Sequence, residues 1–116
     1  MNIEDLRNYC LSLPNTTEDF PFDEVTLVIR VAGKIFVFLP LDNPGSIALK
    51  CDPEKAIQLR EQYDTIKGAY HLNKKHWNSL EFNQVPPDLV YSLIDHSYDL
   101  VYKSLPAKTR KTLESE

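Results

Sequence analysis

Between Val25 and Lys50 the side-chain period is two, and turn residues break it at short intervals. Val25, Leu27, Ile29 and Val31 fall on one side of an extended chain, and Thr26, Val28 and Arg30 on the other. Ala32-Gly33-Lys34 supplies a turn, and Ile35 to Leu39 reads as a second strand. Asp42-Asn43-Pro44-Gly45 makes another turn before a third strand, Ser46 to Lys50. Three strands joined by connections this short pair as an antiparallel meander, because parallel neighbours need a crossover of about a dozen residues. The rest of the chain has to cover that sheet.

Ile3, Leu6, Tyr9, Cys10 and Leu13 recur at helical spacing, with Asn2 placed to cap the first turn and Pro14 to end the helix. Asn15 to Asp23, polar and acidic around Phe20-Pro21-Phe22, reads as an ordered loop whose two aromatics pin it to the core. Asp52-Pro53-Glu54 opens a second helix that runs on through Ile57, Leu59, Arg60 and Tyr63. Thr65 to Tyr70 reads as a short strand or an extended loop, and Trp77 to Phe82 as a strand with Trp77 and Ser79 on one side. From Val85-Pro86-Pro87-Asp88 onward, Leu89, Val90, Leu93, Ile94, Tyr98, Val101 and Leu105 give a long amphipathic helix, which Pro106 breaks before a short terminal helix over Ala107 to Leu113.

The order is therefore α-β-β-β-α-β-β-α-α, an α+β fold in two layers: an antiparallel sheet of about five strands with helices on one face. At 116 residues, 42% of them hydrophobic, a single domain over residues 1–116 is large enough to build a core without disulfides or metal. Cys10 and Cys51 are far apart and outside any ligand spacing, so they read as small buried hydrophobes in a reducing compartment. The polar, acidic start carries no secretory signal, and the apolar run Ile35 to Leu41 is too short to span a bilayer. A cytoplasmic protein without a membrane association is expected.

Thirteen bases against seventeen acids exclude a histone-like coat protein, so any anion-binding surface has to be local. One local surface stands out. No acid occurs from Thr65 to Leu80, a window that holds Lys67, Tyr70, His71, Lys74, Lys75, His76 and Trp77. A second cluster, Lys103, Lys108, Arg110 and Lys111, is also free of acids between its ends. Basic side chains release counterions on meeting phosphates, and an aromatic face beside them stacks on an unpaired base. The bland alternative is a solvated hairpin tip with Trp77 half-buried in the core.

Other chemistry is weaker. His71 and His76 lie at the wrong step for a helical zinc pair and have no Cys, Asp or Glu beside them, so no metal is expected. Asp95-His96-Ser97 names the members of a catalytic triad, yet neighbours on a helix point about 100° apart and cannot form a relay. Phosphate loops and nucleophile elbows are absent from the sequence, so neither a catalytic residue nor a cofactor is expected.

Phe20-Pro21-Phe22, Val31-Ala32-Gly33-Lys34-Ile35-Phe36, Leu49-Lys50-Cys51-Asp52-Pro53, Tyr70-His71-Leu72-Asn73-Lys74-Lys75-His76-Trp77, Asp95-His96-Ser97-Tyr98 and Lys103-Ser104-Leu105-Pro106 together resemble the bacterial MmcQ/YjbR family. The resemblance runs in order over nearly the whole chain. It implies a single α+β domain similar to secretion-chaperone-like folds, and DNA binding. The expectation is a small DNA-binding monomer that contacts phosphates through Lys67, Lys74 and Lys75, with Arg110 and Lys111 if they share that face, while Tyr70 or Trp77 touches a groove or an unpaired base. A protein- or peptide-binding adaptor using the sheet is the alternative, and a pocket beside His71, His76 and Trp77 a third reading.

Overall fold

The computed structural model describes residues 1–69 and 72–115. Helix α1 (Ile3–Ser12) is followed by strands β1 (Thr16–Asp19), β2 (Thr26–Val31), β3 (Lys34–Pro40) and β4 (Ser46–Lys50). Helix α2 (Pro53–Gln62), strands β5 (Lys67–Gly68) and β6 (Trp77–Glu81), a short 3-10 turn (Phe82–Gln84), and helices α3 (Pro87–Ser104) and α4 (Ala107–Glu114) complete the order. The strands form one antiparallel sheet in the order β1-β2-β3-β4-β6-β5.

Local chemistry accounts for the ends of these elements. The Asn2 side chain accepts the N–H of Asp5, whose carboxylate takes the N–H of Asn2 in return, so two orphan donors of α1 are satisfied reciprocally. Asp52 caps α2 by accepting the N–H of Lys55, with Pro53 in the first turn. The β2–β3 hairpin turns through Ala32 and Gly33 at φ 47° and 87°, the left-handed pair that matches the twist of the flanking strands.

Two expectations are corrected. Thr16–Asp19, read as loop, is an edge strand paired with Asp19 opposite Val28 and Thr16 opposite Val31, so the sheet has six strands. Its four residues include no hydrophobic one, so no apolar alternation marks it. Nor do Phe20 and Phe22 enter the core: they stand 46% and 66% exposed, and Phe22 lies against Phe38 instead.

The core lies between the sheet and its helices. Leu27, Ile29, Val37, Leu39, Ile47, Leu49 and Leu80 from the strands meet Leu6 and Cys10 of α1, Ala56 and Leu59 of α2, and Val90, Leu93, Ile94 and Val101 of α3. The β2–β3 register shifts between Ile29 and Arg30, leaving Phe36 as an extra residue on β3, a β-bulge. Phe36 and Val37 are consequently both buried. Ser97 of α3 fits beside this bulge, its hydroxyl donating to the Phe36 carbonyl at 2.6 Å and accepting the Lys50 N–H at 3.0 Å. Among the described residues no helix is long and apolar enough to cross a membrane.

Candidate functional site

Among the described residues the other face of the sheet carries no helix, and it is shaped by residue size. Across it, Val28, Phe38, Ala48, Ser79 and Lys67 stand opposite one another in a single row. Ala48 and Ser79 are small, so the middle of the row is a depression between Phe38 and the β5 edge. Phe22 and Asp23 form one wall, and Ala69 and Leu72 the other. Thr26, Pro40 and Ser46 complete a groove of about 460 Å³. Phe38 is its central aromatic, with Phe22 stacked at 6.3 Å and the Trp77 ring edge-on at 5.2 Å.

The basic segment is held against the groove by buttresses from α2 that carry no motif. Asn78, only 3% exposed, donates from Nδ2 to the Ala56 carbonyl and accepts Arg60 Nε at 2.8 Å, while the other end of the Arg60 guanidinium reaches the Lys74 carbonyl. Asn73 accepts the N–H groups of His76 and Trp77 at its carbonyl and that of Lys75 at its side chain, closing the turn. Gly68 lets this turn sit close, since a Cβ there would lie 3.1 Å from Lys74 Cβ.

The residues singled out from sequence separate into two groups. Lys67 on β5 and Lys74 and Lys75 on the turn are exposed and border the groove's β5 side; Trp77 is half-buried on the open face, and His76 half-buried with its carbonyl bonded to Cys51 N–H. Tyr70 and His71 lie outside the described residues. Arg110 and Lys111 belong to α4, which follows the end of α3 that Lys34 and Pro14 contact through Ser104 and Tyr98. That end faces the β1–β3 side, so the two basic clusters do not converge. Phe22, Phe38, Ala48 and Ser79, the groove itself, were not among the sequence candidates, although small and aromatic residues alternate with core residues in β3, β4 and β6.

Charge is spread unevenly around the groove. Asp23, Glu24 and Asp42 lie on the flank formed by the β1–β2 loop and the turn after β3, which Leu41 N–H ties to the Val25 carbonyl at 2.7 Å, while Asp19 at the end of β1 is paired with Arg30. Backbone N–H groups of Thr26 and Val25 hold the Asp23 carboxyl below its usual range. On the β5 side Lys67 shares its surroundings with Asp64 and Glu81, and Lys74 and Lys75 lie in the turn before Trp77, at the Lys50 end of the strands.

The triad-like run Asp95-His96-Ser97 points three ways. Asp95 accepts the Tyr9 hydroxyl at 2.6 Å, His96 Nε2 accepts the Asp52 N–H at 3.1 Å, and Ser97 joins β3 and β4. Cys10 and Cys51 are free and buried, and burial pushes the Cys10 thiol up to about 12. Among the described residues no group of three or more His, Cys, Asp or Glu is placed to hold a metal ion.

Fold and groove together define an α+β domain with helices on one sheet face and a concave surface on the other. The YjbR family model matches residues 11–100, and the chain belongs to that family. Escherichia coli K12 YjbR is 31% identical over 97% of this chain and 98% of its own. Bacillus subtilis YyaQ is 30% identical over 84% and 95%. The crystal structure of Deinococcus radiodurans protein DR2400 superposes with a TM-score of 0.89 at 36% identity, covering 97% of this chain and 87% of that one. A Pseudomonas syringae structure gives a TM-score of 0.72 at 27% identity over 87% and 99%.

Proposed function

We propose that the chain binds nucleic acid as a single unpaired strand laid along the β5 side of the groove. The observation that carries this reading is the apolar, aromatic-lined depression directly beside the acid-free segment of Lys67, Lys74 and Lys75. Phosphates meet those lysines while a base enters the groove against Phe38, within reach of Trp77. The acidic flank argues against a duplex, whose second backbone would lie toward Asp19, Asp23 and Glu24. Arg110 and Lys111 take no part in this reading. It needs no catalytic residue.

The test is a titration of labelled single-stranded and duplex DNA at low and moderate salt, read by anisotropy and by fluorescence of Trp77, the one tryptophan in the sequence. Single strands bind more tightly than duplex, quench Trp77, and weaken with salt. Replacing Lys74 and Lys75 by Glu abolishes binding and flattens the salt dependence, each lost phosphate contact removing about 0.7 from the log–log slope. An absence of single-strand binding at low salt refutes the assignment.

A second reading, a protein- or peptide-binding adaptor, is favoured by one observation of its own: Phe20, Phe22, Val25 and Leu41 expose apolar surface beside the same groove.

A further inference from the structure

Strand register gives the groove two chemically different ends. Ser46, Ala48 and Lys50 alternate with core residues along β4, and Glu81, Ser79 and Trp77 stand opposite them on β6. Because Ala48 also faces Phe38, and Pro40 faces Thr26, one end of the groove is formed by Thr26, Pro40, Ser46 and Glu81. The other end has Lys50 and Trp77, with the turn that carries Lys74 and Lys75 just beyond. Charge therefore changes along the strands: Asp23, Asp42 and Glu81 gather at the first end, and Lys50, Lys74 and Lys75 at the second. Ser46 and Lys50, four residues apart, set the ends about 13 Å from each other.

The first end has a definite hydrogen-bonding character. Asp23 and Thr26 both line the groove. Asp23 Oδ1 takes the N–H groups of Val25 and Thr26, and Oδ2 takes the Thr26 hydroxyl at 3.1 Å. A carboxylate has no proton to give, and the Thr26 proton is already committed to it, so both side chains offer only acceptor capacity to whatever enters.

We infer that this end of the groove selects a base bearing an exocyclic amine at its outer edge, cytosine or adenine, over one bearing a carbonyl there, uracil or thymine. The inference rests on the strand-binding reading and deepens it. With its phosphate at Lys50, Lys74 and Lys75, a nucleotide lying lengthwise in the groove sets its ring against Phe38 and the outer edge of that ring toward Asp23 and Thr26. An amine at that edge donates to the carboxylate, as cytosine N4 does to Asp in a nucleic-acid groove, whereas a carbonyl sets lone pairs against lone pairs.

Titrating the full chain with labelled oligodeoxycytidine and oligodeoxyuridine of equal length tests it, since the two rings match in size and differ at that edge. The titration is run at low salt and mildly alkaline pH, where cytosine is uncharged. The wild-type chain binds the cytosine strand about fivefold or more tighter. Asp23→Asn keeps an acceptor for the Val25 and Thr26 N–H groups but replaces Oδ2 by an amide donor, so it abolishes or reverses the preference. Asp42→Asn makes the same charge change outside the groove lining and leaves the preference as in wild type. Equal affinity of the wild-type chain for the two strands overturns the inference while the strand-binding reading stands, and so does a cytosine preference that survives Asp23→Asn. Binding of neither strand overturns the strand-binding reading and the inference with it.

Discussion

Ser97→Ala tests whether α3 is coupled to the sheet through the β3 bulge. The hydroxyl accepts the Lys50 N–H and donates to the Phe36 carbonyl, and Ser97 is fully buried. Removing it strands one donor and one acceptor, each costing about 1–3 kcal/mol when left without a partner. Alanine returns roughly 0.5 kcal/mol through its better helix propensity. The expected net loss is about 1.5–5.5 kcal/mol, a large fraction of the 5–15 kcal/mol typical of a domain. Urea unfolding followed by far-UV circular dichroism should give a lower midpoint at unchanged slope, and heating should give a melting temperature lower by roughly 4 °C or more per kcal/mol. A loss below about 0.5 kcal/mol refutes the reasoning, for it means that the bulge carbonyl and the Lys50 amide are satisfied without Ser97.

Asn78→Ala removes the link between α2 and β6 and one of the two anchors of Arg60, leaving only its bond to the Lys74 carbonyl; it should cost about 1–3 kcal/mol, with faster hydrogen exchange at the amides of His76 and Trp77 than elsewhere in the sheet. His96 titrates below its ordinary 6.5, first through burial and then through Lys55. The unfolded chain therefore takes up that proton more readily, so His96's contribution to stability is complete above pH 6.5 and falls away as the pH drops toward the folded value. His96→Gln should flatten that part of a pH series of urea midpoints. The Tyr9 phenol, hydrogen-bonded to Asp95, is pushed up to about 12, so Tyr9→Phe should remove a late-ionising component from the ultraviolet titration, and an unchanged curve would deny the pairing.

The meander, the capped helices and the long amphipathic α3 were legible in the sequence because each is written in its own residues: alternation, Asn2 and Asp52 as caps, and apolar steps of three and four. The edge strand β1 was not, since an exposed strand needs no apolar alternation and Thr-Thr-Glu-Asp borrows its geometry from β2. The bulge at Phe36 was equally hidden, because an unbroken run of hydrophobics does not say which residue is the extra one. For the site, the density of Lys67, Lys74 and Lys75 could be counted along the chain. The depression could not, as it arises from register that sets Ala48 and Ser79 side by side between larger neighbours. The separation of Arg110 and Lys111 from the other lysines depends on where α3 ends on the sheet, a tertiary fact.

The two borders of the sheet limit how this chain can meet others. β5 pairs over only two residues, too short a rail for an incoming strand to follow. At the opposite border β1 has four residues, and two of them, Glu18 and Asp19, are engaged by Arg7 and Arg30. Short, charged borders are how sheets resist ribbon-like stacking into larger aggregates. With lateral growth blocked on both sides, the exposed phenylalanines at the groove stand beside no open rail along which a sheet could be extended from copy to copy.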